Sequence, residues 1–195
     1  MDESSGAVAS DSAGSSDGAL QNMSNASWGP GHLGNGLDFA GTDDYVSVGY
    51  IGTYDTLTIA MWVNLDAVYM SSLFHCDGWS AGDLHFIITG GGTVRFAVNG
   101  NAPTDQDSTY SFSTHLNEWH HIAAVYDMSA MTVDFYIDGV HDSQRTYTNT
   151  RTVELGPLRI GSAQCCGRYF DGRMDDLRIY NAVVSSAHVG YLAGL

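Results

Sequence analysis

The sequence predicts an all-β protein, an antiparallel two-sheet β-sandwich, on three observations. Apolar residues recur at every second position in several runs, the period of a strand with one face buried. Each run closes on a turn signal such as Gly90-Gly91-Gly92, Asn99-Gly100 or Asp138-Gly139, of the kind that reverses a hairpin. The runs follow one another at spacings of about ten residues without intervening helical patterns, which argues against a parallel sheet with crossover helices.

Taken in order, residues 1–36 are rich in Gly, Ser, Ala and Asn, and Gly29-Pro-Gly-His-Leu-Gly-Asn-Gly36 reads as turns. Alone this segment could be a linker. Against that, Asp11-Ser-Ala-Gly14 and Asp17-Gly18 have the form of tight turns in which a short acidic side chain bonds its own backbone. From residue 37 the period is two. Leu57, Ile59, Met61 and Val63 alternate with Thr58, Ala60, Trp62 and Asn64, and Leu84, Phe86 and Ile88 alternate with Asp83, His85 and Ile87. Val94/Phe96/Val98 and Val133/Phe135/Ile137 repeat the pattern. Only 182–192 reads as a short helix. In the last strand, FDGRMDDLRIY at 170–180, Leu177 and Ile179 stand two apart with Arg178 between them. The adjacent carboxylates Asp175 and Asp176 therefore sit at its entrance, placed for hydrogen bonding or for a metal.

At 195 residues the chain fits a single β domain, 1–195, expected to be monomeric. A hydrophobic content of 44% with 15% charged residues excludes disorder, and no apolar run approaches the roughly 20 residues that span a bilayer. The formal charge is −15, and all seven Lys and Arg positions are arginine. Such a surface repels phosphate backbones, so neither nucleic acid nor an anionic membrane is a suitable partner. The carboxylates suit either solubility in a salty extracellular milieu or the oxygen-rich coordination of divalent cations.

The cysteines are Cys76 and the neighbours Cys165 and Cys166, with no Cys/His spacing typical of zinc. In a secreted protein Cys76 could pair with one of the two, tying the 74–82 loop to the 162–169 loop; in a reducing compartment all three would stay free. Met1 is followed at once by Asp-Glu-Ser-Ser-Gly rather than by a basic and then apolar leader. The expectation is a module excised from a larger secreted protein.

Several stretches, in order, carry a resemblance: Gly36-Leu-Asp-Phe-Ala-Gly-Thr-Asp-Asp-Tyr-Val46, Leu57-Thr-Ile-Ala-Met-Trp-Val63, Glu118-Trp-His-His-Ile-Ala-Ala-Val-Tyr-Asp127, Phe135-Tyr-Ile-Asp-Gly139, Leu158-Arg-Ile-Gly161 and the FDGRMDDLRIYN segment. Together they resemble laminin G-like jelly-roll domains of the concanavalin A-like lectin and glucanase superfamily. The resemblance covers nearly the whole chain and implies that the first and last strands are neighbours. It places the Asp11 turn near the entrance of the last strand, where Asp11, Asp175 and Asp176, with turn carbonyls, would hold a structural calcium ion. The alternative is that Asp175 accepts backbone N–H bonds with no metal.

Trp62 and Trp119 lie in the family-like strands and read as core aromatics. Trp79 instead sits in a glycine-containing loop, where a flat ring with a polar edge suits the C–H face of a sugar. His75 and Asp77 are its polar neighbours in sequence, and Arg168 and Tyr169 would join them if Cys76 is bridged. His120 and His121 are consecutive in a strand and point to opposite faces; most of the eight histidines read as bystanders. The paired acids of a glycoside hydrolase are missing: no glutamate has an acid two positions away, and Asp134 and Asp138 would stand about 13 Å apart. The expected function is a non-catalytic carbohydrate-binding module of a secreted, bacterial polysaccharide-processing protein, tethering a neighbouring catalytic domain to its polymer. An adhesion or protein-interaction domain is the alternative, and a hydrolase or lyase a minor one.

Overall fold

The computed structural model describes residues 1–76, 78–163 and 165–195. The N-terminal part holds β1 (Val8–Ala9), β2 (Gly18–Gln21), β3 (Trp28–Pro30), β4 (Asn35–Ala40), β5 (Tyr45–Val48) and β6 (Gly52–Tyr54). The middle holds β7 (Thr56–Leu65), β8 (Ser71–Cys76), β9 (Leu84–Ile88), β10 (Thr93–Val98) and β11 (Asp105–Ser111). The rest comprises β12 (Trp119–Asp127), β13 (Thr132–Ile137), β14 (Val140–Thr146), β15 (Val153–Leu155), β16 (Leu158–Ile160), β17 (Asp171–Tyr180) and α1 (Ser186–Leu192).

One sheet has the order β1-β2-β5-β16-β8-β9-β10-β11 and the other β14-β13-β12-β7-β17-β4-β3, with β6 and β15 forming a small third pair. The strand pairings are antiparallel, as in a jelly roll. The residues assigned to the inner rows are the core: Leu57, Ile59, Met61, Val63, Leu84, Phe86, Ile88, Val94, Phe96, Val98, Val133, Phe135 and Ile137 are all buried together. Residues 1–36 are no linker, since β1 and β2 extend one sheet and β3 the other. Asp11 accepts from Ala13 N at 3.0 Å, Gly14 N at 2.9 Å and Ser16 N at 2.9 Å, the self-bonded turn expected there.

The outer faces are covered as well. Helix α1, capped by the Ser185 hydroxyl on His188 N, lays Val189 and Leu192 against Ala60, Ala123, Val125 and Tyr136. The two alanines leave room for it, which is why the polar-side row of β7 is also apolar. Trp62 lies on this outer face rather than in the core: it is buried because His32 stacks on it, ring centroids 3.4 Å apart. Trp119 is only half-buried, so neither tryptophan fills the interior as expected.

Strand β17 changes parity along its length. Met174 pairs opposite Val63, facing inward, while Ile179 pairs opposite Ile59, also inward, although the two differ by an odd number of residues. A β-bulge between Asp175 and Arg178 absorbs the extra residue, with Asp176 at φ 48°, a conformation that aspartate tolerates better than most residues. The bulge lets Leu177 and Ile179 pack on the core while Arg178 is exposed.

Candidate functional site

A row of three directly paired residues crosses the middle of the larger sheet. Arg159 on β16 lies opposite His75 on β8, and His75 lies opposite His85 on β9. Partners directly across a ladder project to the same face, and this face is the outer one, since their neighbours Phe74, Phe86 and Ile160 point into the core. The His75 and His85 rings stack at 4.1 Å with an interplanar angle of 3°. Arg159 lies over the Tyr45 ring, 4.3 Å from its centroid, a cation–π contact.

His75 is 1% exposed, and among the described residues neither ring nitrogen has a side-chain hydrogen-bond partner. Burial, then the His85 ring and the Arg168 charge, push it down to about 3, with the Cys76 main chain pulling weakly the other way. His85 is likewise lowered, first by burial. Both rings are therefore neutral near pH 7 and form an uncharged aromatic floor. His75, expected to touch ligand directly, is instead buried beside His85, which was not singled out from the sequence and is 4% exposed.

Trp79 stands on that floor with 63% of its surface exposed. Its ring meets His85 edge to face at 4.7 Å and lies 6.4 Å from His75. The loop that carries it is braced rather than loose. Asp83, buried, accepts from Ser80 N at 2.7 Å, and a side chain at Gly78 would drive into the Asp83 carboxylate. Gly82 N donates to Asn99 O at 2.8 Å, and Gly78 O lies 3.3 Å from His85 Nε2. An exposed indole held this way is preorganised, so binding costs it little side-chain entropy.

The second loop is held by main-chain bonds. Gly161 N donates to Leu73 O, Phe170 N to Gly161 O, and Ser72 N to Arg168 O, at 3.0, 2.9 and 3.0 Å, which pins both ends of the 161–170 segment to β8 or to each other. Arg168 and Tyr169 are half-buried, and the positive charge of Arg168 reaches both histidines. The expected bridge is corrected: Cys165 bonds to its neighbour Cys166, whereas Cys76 lies buried on β8 with its thiol donating to Glu154 O at 3.2 Å. Asp77, expected beside Trp79, lies outside the described residues.

The Asp11, Asp175 and Asp176 carboxylates do not converge; among the described residues their ligand atoms form no group within 4.8 Å of one another. Asp175 is buried and turns to the β3–β4 hairpin, accepting from Leu33 N at 2.8 Å and from Asp176 N at 2.7 Å. Asp176 instead holds Arg178 Nε at 2.9 Å. With its oxygens already accepting from main-chain N–H groups, Asp175 fits a hydrogen-bonding role, and the three do not fit a calcium cage. Burial raises the Asp175 carboxyl while those two N–H bonds lower it, leaving it above the usual range. Asp175→Asn is expected to cost about 1–2 kcal/mol in urea unfolding by weakening one of the two bonds, and added calcium chloride is expected to leave the wild-type midpoint in place. A calcium-dependent rise would restore the metal reading.

A cavity of about 610 Å³ opens between the N-terminal turns and β17, lined by Asp11, Asp176, Leu177 and Ile179 together with core residues such as Phe74. No helix among the described residues is long and apolar enough to cross a membrane.

Residues 40–190 match the family profile described as the concanavalin A-like lectin/glucanases superfamily. No curated protein sequence matches the chain. Among solved structures, domain 4 of AbnA, a GH43 extracellular arabinanase from Geobacillus stearothermophilus seen with arabinotriose, is 19% identical with a TM-score of 0.68, covering 85% of this chain and 80% of that one. A SAP-like pentraxin from Limulus polyphemus is 15% identical with a TM-score of 0.66 and 80% coverage of each chain. A putative carbohydrate binding protein from Bacteroides ovatus is 17% identical with a TM-score of 0.63, covering 80% of this chain and 45% of that one. At these identities the likeness is one of fold.

Proposed function

The chain belongs to the concanavalin A-like lectin/glucanases superfamily, and from that premise we propose that it is a non-catalytic carbohydrate-binding module of a secreted, multi-domain polysaccharide-processing protein. The observation that carries the reading is Trp79: an exposed indole on a braced loop, seated edge-on against neutral His85, with the Arg168 loop alongside. A flat apolar face of this kind packs on the C–H face of a pyranose or furanose ring, and the indole N–H and the planar guanidinium offer donors to its hydroxyls. The arabinotriose bound to the arabinanase domain supports a plant-type polymer as the ligand class. A single shallow contact gives weak affinity, made useful when a neighbouring catalytic domain in the parent chain is held at high effective concentration on the polymer.

Affinity electrophoresis against a panel of plant and algal polysaccharides tests this. Retardation by one polymer class is expected, and Trp79→Ala should weaken it about tenfold or more while leaving the thermal midpoint nearly unchanged, since the removed ring is mostly solvated. If no polymer retards the wild type, the module reading fails and a protein-interaction role takes its place.

A further inference from the structure

The loop after β11 and the first residues of β12 bring together three side chains that the sugar site does not use. His115, Glu118 and His120 each point a ligand atom into one space, all within 4.8 Å of one another. His115 Nδ1 lies 3.4 Å and His120 Nε2 3.6 Å from the same carboxylate oxygen, Glu118 Oε2. Two atoms bound 2.0–2.1 Å from a tetrahedral ion are about 3.3 Å apart, so two edges of the triangle are already near coordination size.

A second observation points to a ligand. His120 Nδ1 lies 2.8 Å from Asp138 Oδ2, and a carboxylate at that distance holds the ring proton on Nδ1. That leaves the Nε2 lone pair aimed at the cluster. The side chain is only 9% exposed, and among the described residues the buried Nε2 has no hydrogen-bond partner, a costly arrangement unless something accepts the lone pair. The carboxylate–histidine pair is the outer support that metal-bound imidazoles use to fix tautomer and orientation.

The fold supplies each part for a local reason. Asn117, at φ 61°, reverses the chain after His115, and its N–H is tied to Leu65 O at 2.8 Å. Asp138 and Gly139, at φ 49° and 76°, form the tight hairpin turn between β13 and β14, and Asp138 also accepts from His121 N at 2.9 Å. The Phe112 and Tyr110 rings stand 5.2 and 5.9 Å from His120, walling that side with apolar surface.

We propose that His115, Glu118 and His120 bind a divalent transition cation of the zinc class, with Asp138 as the positioning residue for His120. Two imidazoles and one carboxylate suit zinc rather than calcium, which wants six to eight oxygens. Three protein ligands leave a fourth position for water or an incoming donor. The site is independent of the proposed sugar site and shares no residue with it.

Titration calorimetry of the intact chain with zinc chloride is the test, with cobalt(II) as a spectroscopic probe of tetrahedral coordination. One equivalent is expected to bind, and His115→Ala and Glu118→Gln should each weaken it at least tenfold. Asp138→Asn should weaken it about 10–100-fold, with circular dichroism as the check on folding. His115 lies on a half-exposed turn, so its variant keeps the test valid even if the Asp138 hairpin does not tolerate change. Absence of zinc uptake by the wild type, or wild-type affinity in His115→Ala, would overturn the proposal.

Discussion

Gly172→Ala is expected to destabilise the domain by about 4 kcal/mol or more, enough to leave a domain of this size marginal or unfolded. Gly172 sits inside β17, an interior strand of the smaller sheet, with backbone at φ 135°, a region essentially closed to residues with a Cβ. The added methyl would drive into the Asn64 carbonyl oxygen and crowd Asp66 N at 3.0 Å. Those atoms belong to or border β7, which pairs on its other side with β12, so neither strand can retreat without breaking a ladder. Urea unfolding of the purified variant is the check. A midpoint within about 0.5 M of wild type, with a typical slope of 1–3 kcal/mol/M, would show that the strand yields more easily than this geometry implies.

Acidification from pH 7 to pH 5 is expected to remove about 2–3 kcal/mol of stability, chiefly through His75 and through His121, which burial pushes down to about 4. The folded value of His75 is pushed down to about 3, whereas an unfolded histidine titrates near 6.5. Between those values the unfolded chain binds the proton and the native state does not, so stability is complete above about pH 6.5 and falls as pH drops through the window. The full slope would be about 1.4 kcal/mol per pH unit; local opening to water reduces it to about 1. His85, lowered in the same direction, adds to the effect. The carboxylates lowered by backbone bonds, such as Asp11 and Asp127, lose their contribution only below about pH 4, outside this range. His75→Phe keeps an aromatic ring against His85 and removes the titrating group. Its urea-unfolding stability should fall about half as steeply as wild type from pH 7 to 5, the remainder coming from His121 and His85, and a slope equal to that of wild type would remove His75 from the account.

The interior was legible because strand alternation is a direct projection of sheet geometry: every second residue of β7, β9, β10 and β13 faces the partner sheet. The outer faces were not. Whether Trp62 or His75 is exposed depends on what crosses above it, and His32 comes to Trp62 from a remote part of the chain. Trp79 was legible from its glycine-rich surroundings, but its partner His85 was not, since the ring contact follows from the pairing of β8 with β9. His115, Glu118 and His120 escaped because their spacing matches neither helix nor strand; a left-handed residue at Asn117 gathers them. The parity change in β17 was not read from the sequence: Leu177 and Ile179 set one period, and only the bulge shows how Met174 reaches the same side.

The bond between Cys165 and Cys166 sets how the protein meets a reducing environment. A bridge between distant residues stabilises by restricting the unfolded chain, and the effect grows with the loop it closes; one between neighbours closes almost none. Opening it would leave the sandwich standing and change the shape only of the segment that presents Arg168 and Tyr169. Thiol exchange would thus act as a dial on the rim of the proposed sugar site, while the β-sandwich holds its form whether the cysteines are oxidised or reduced.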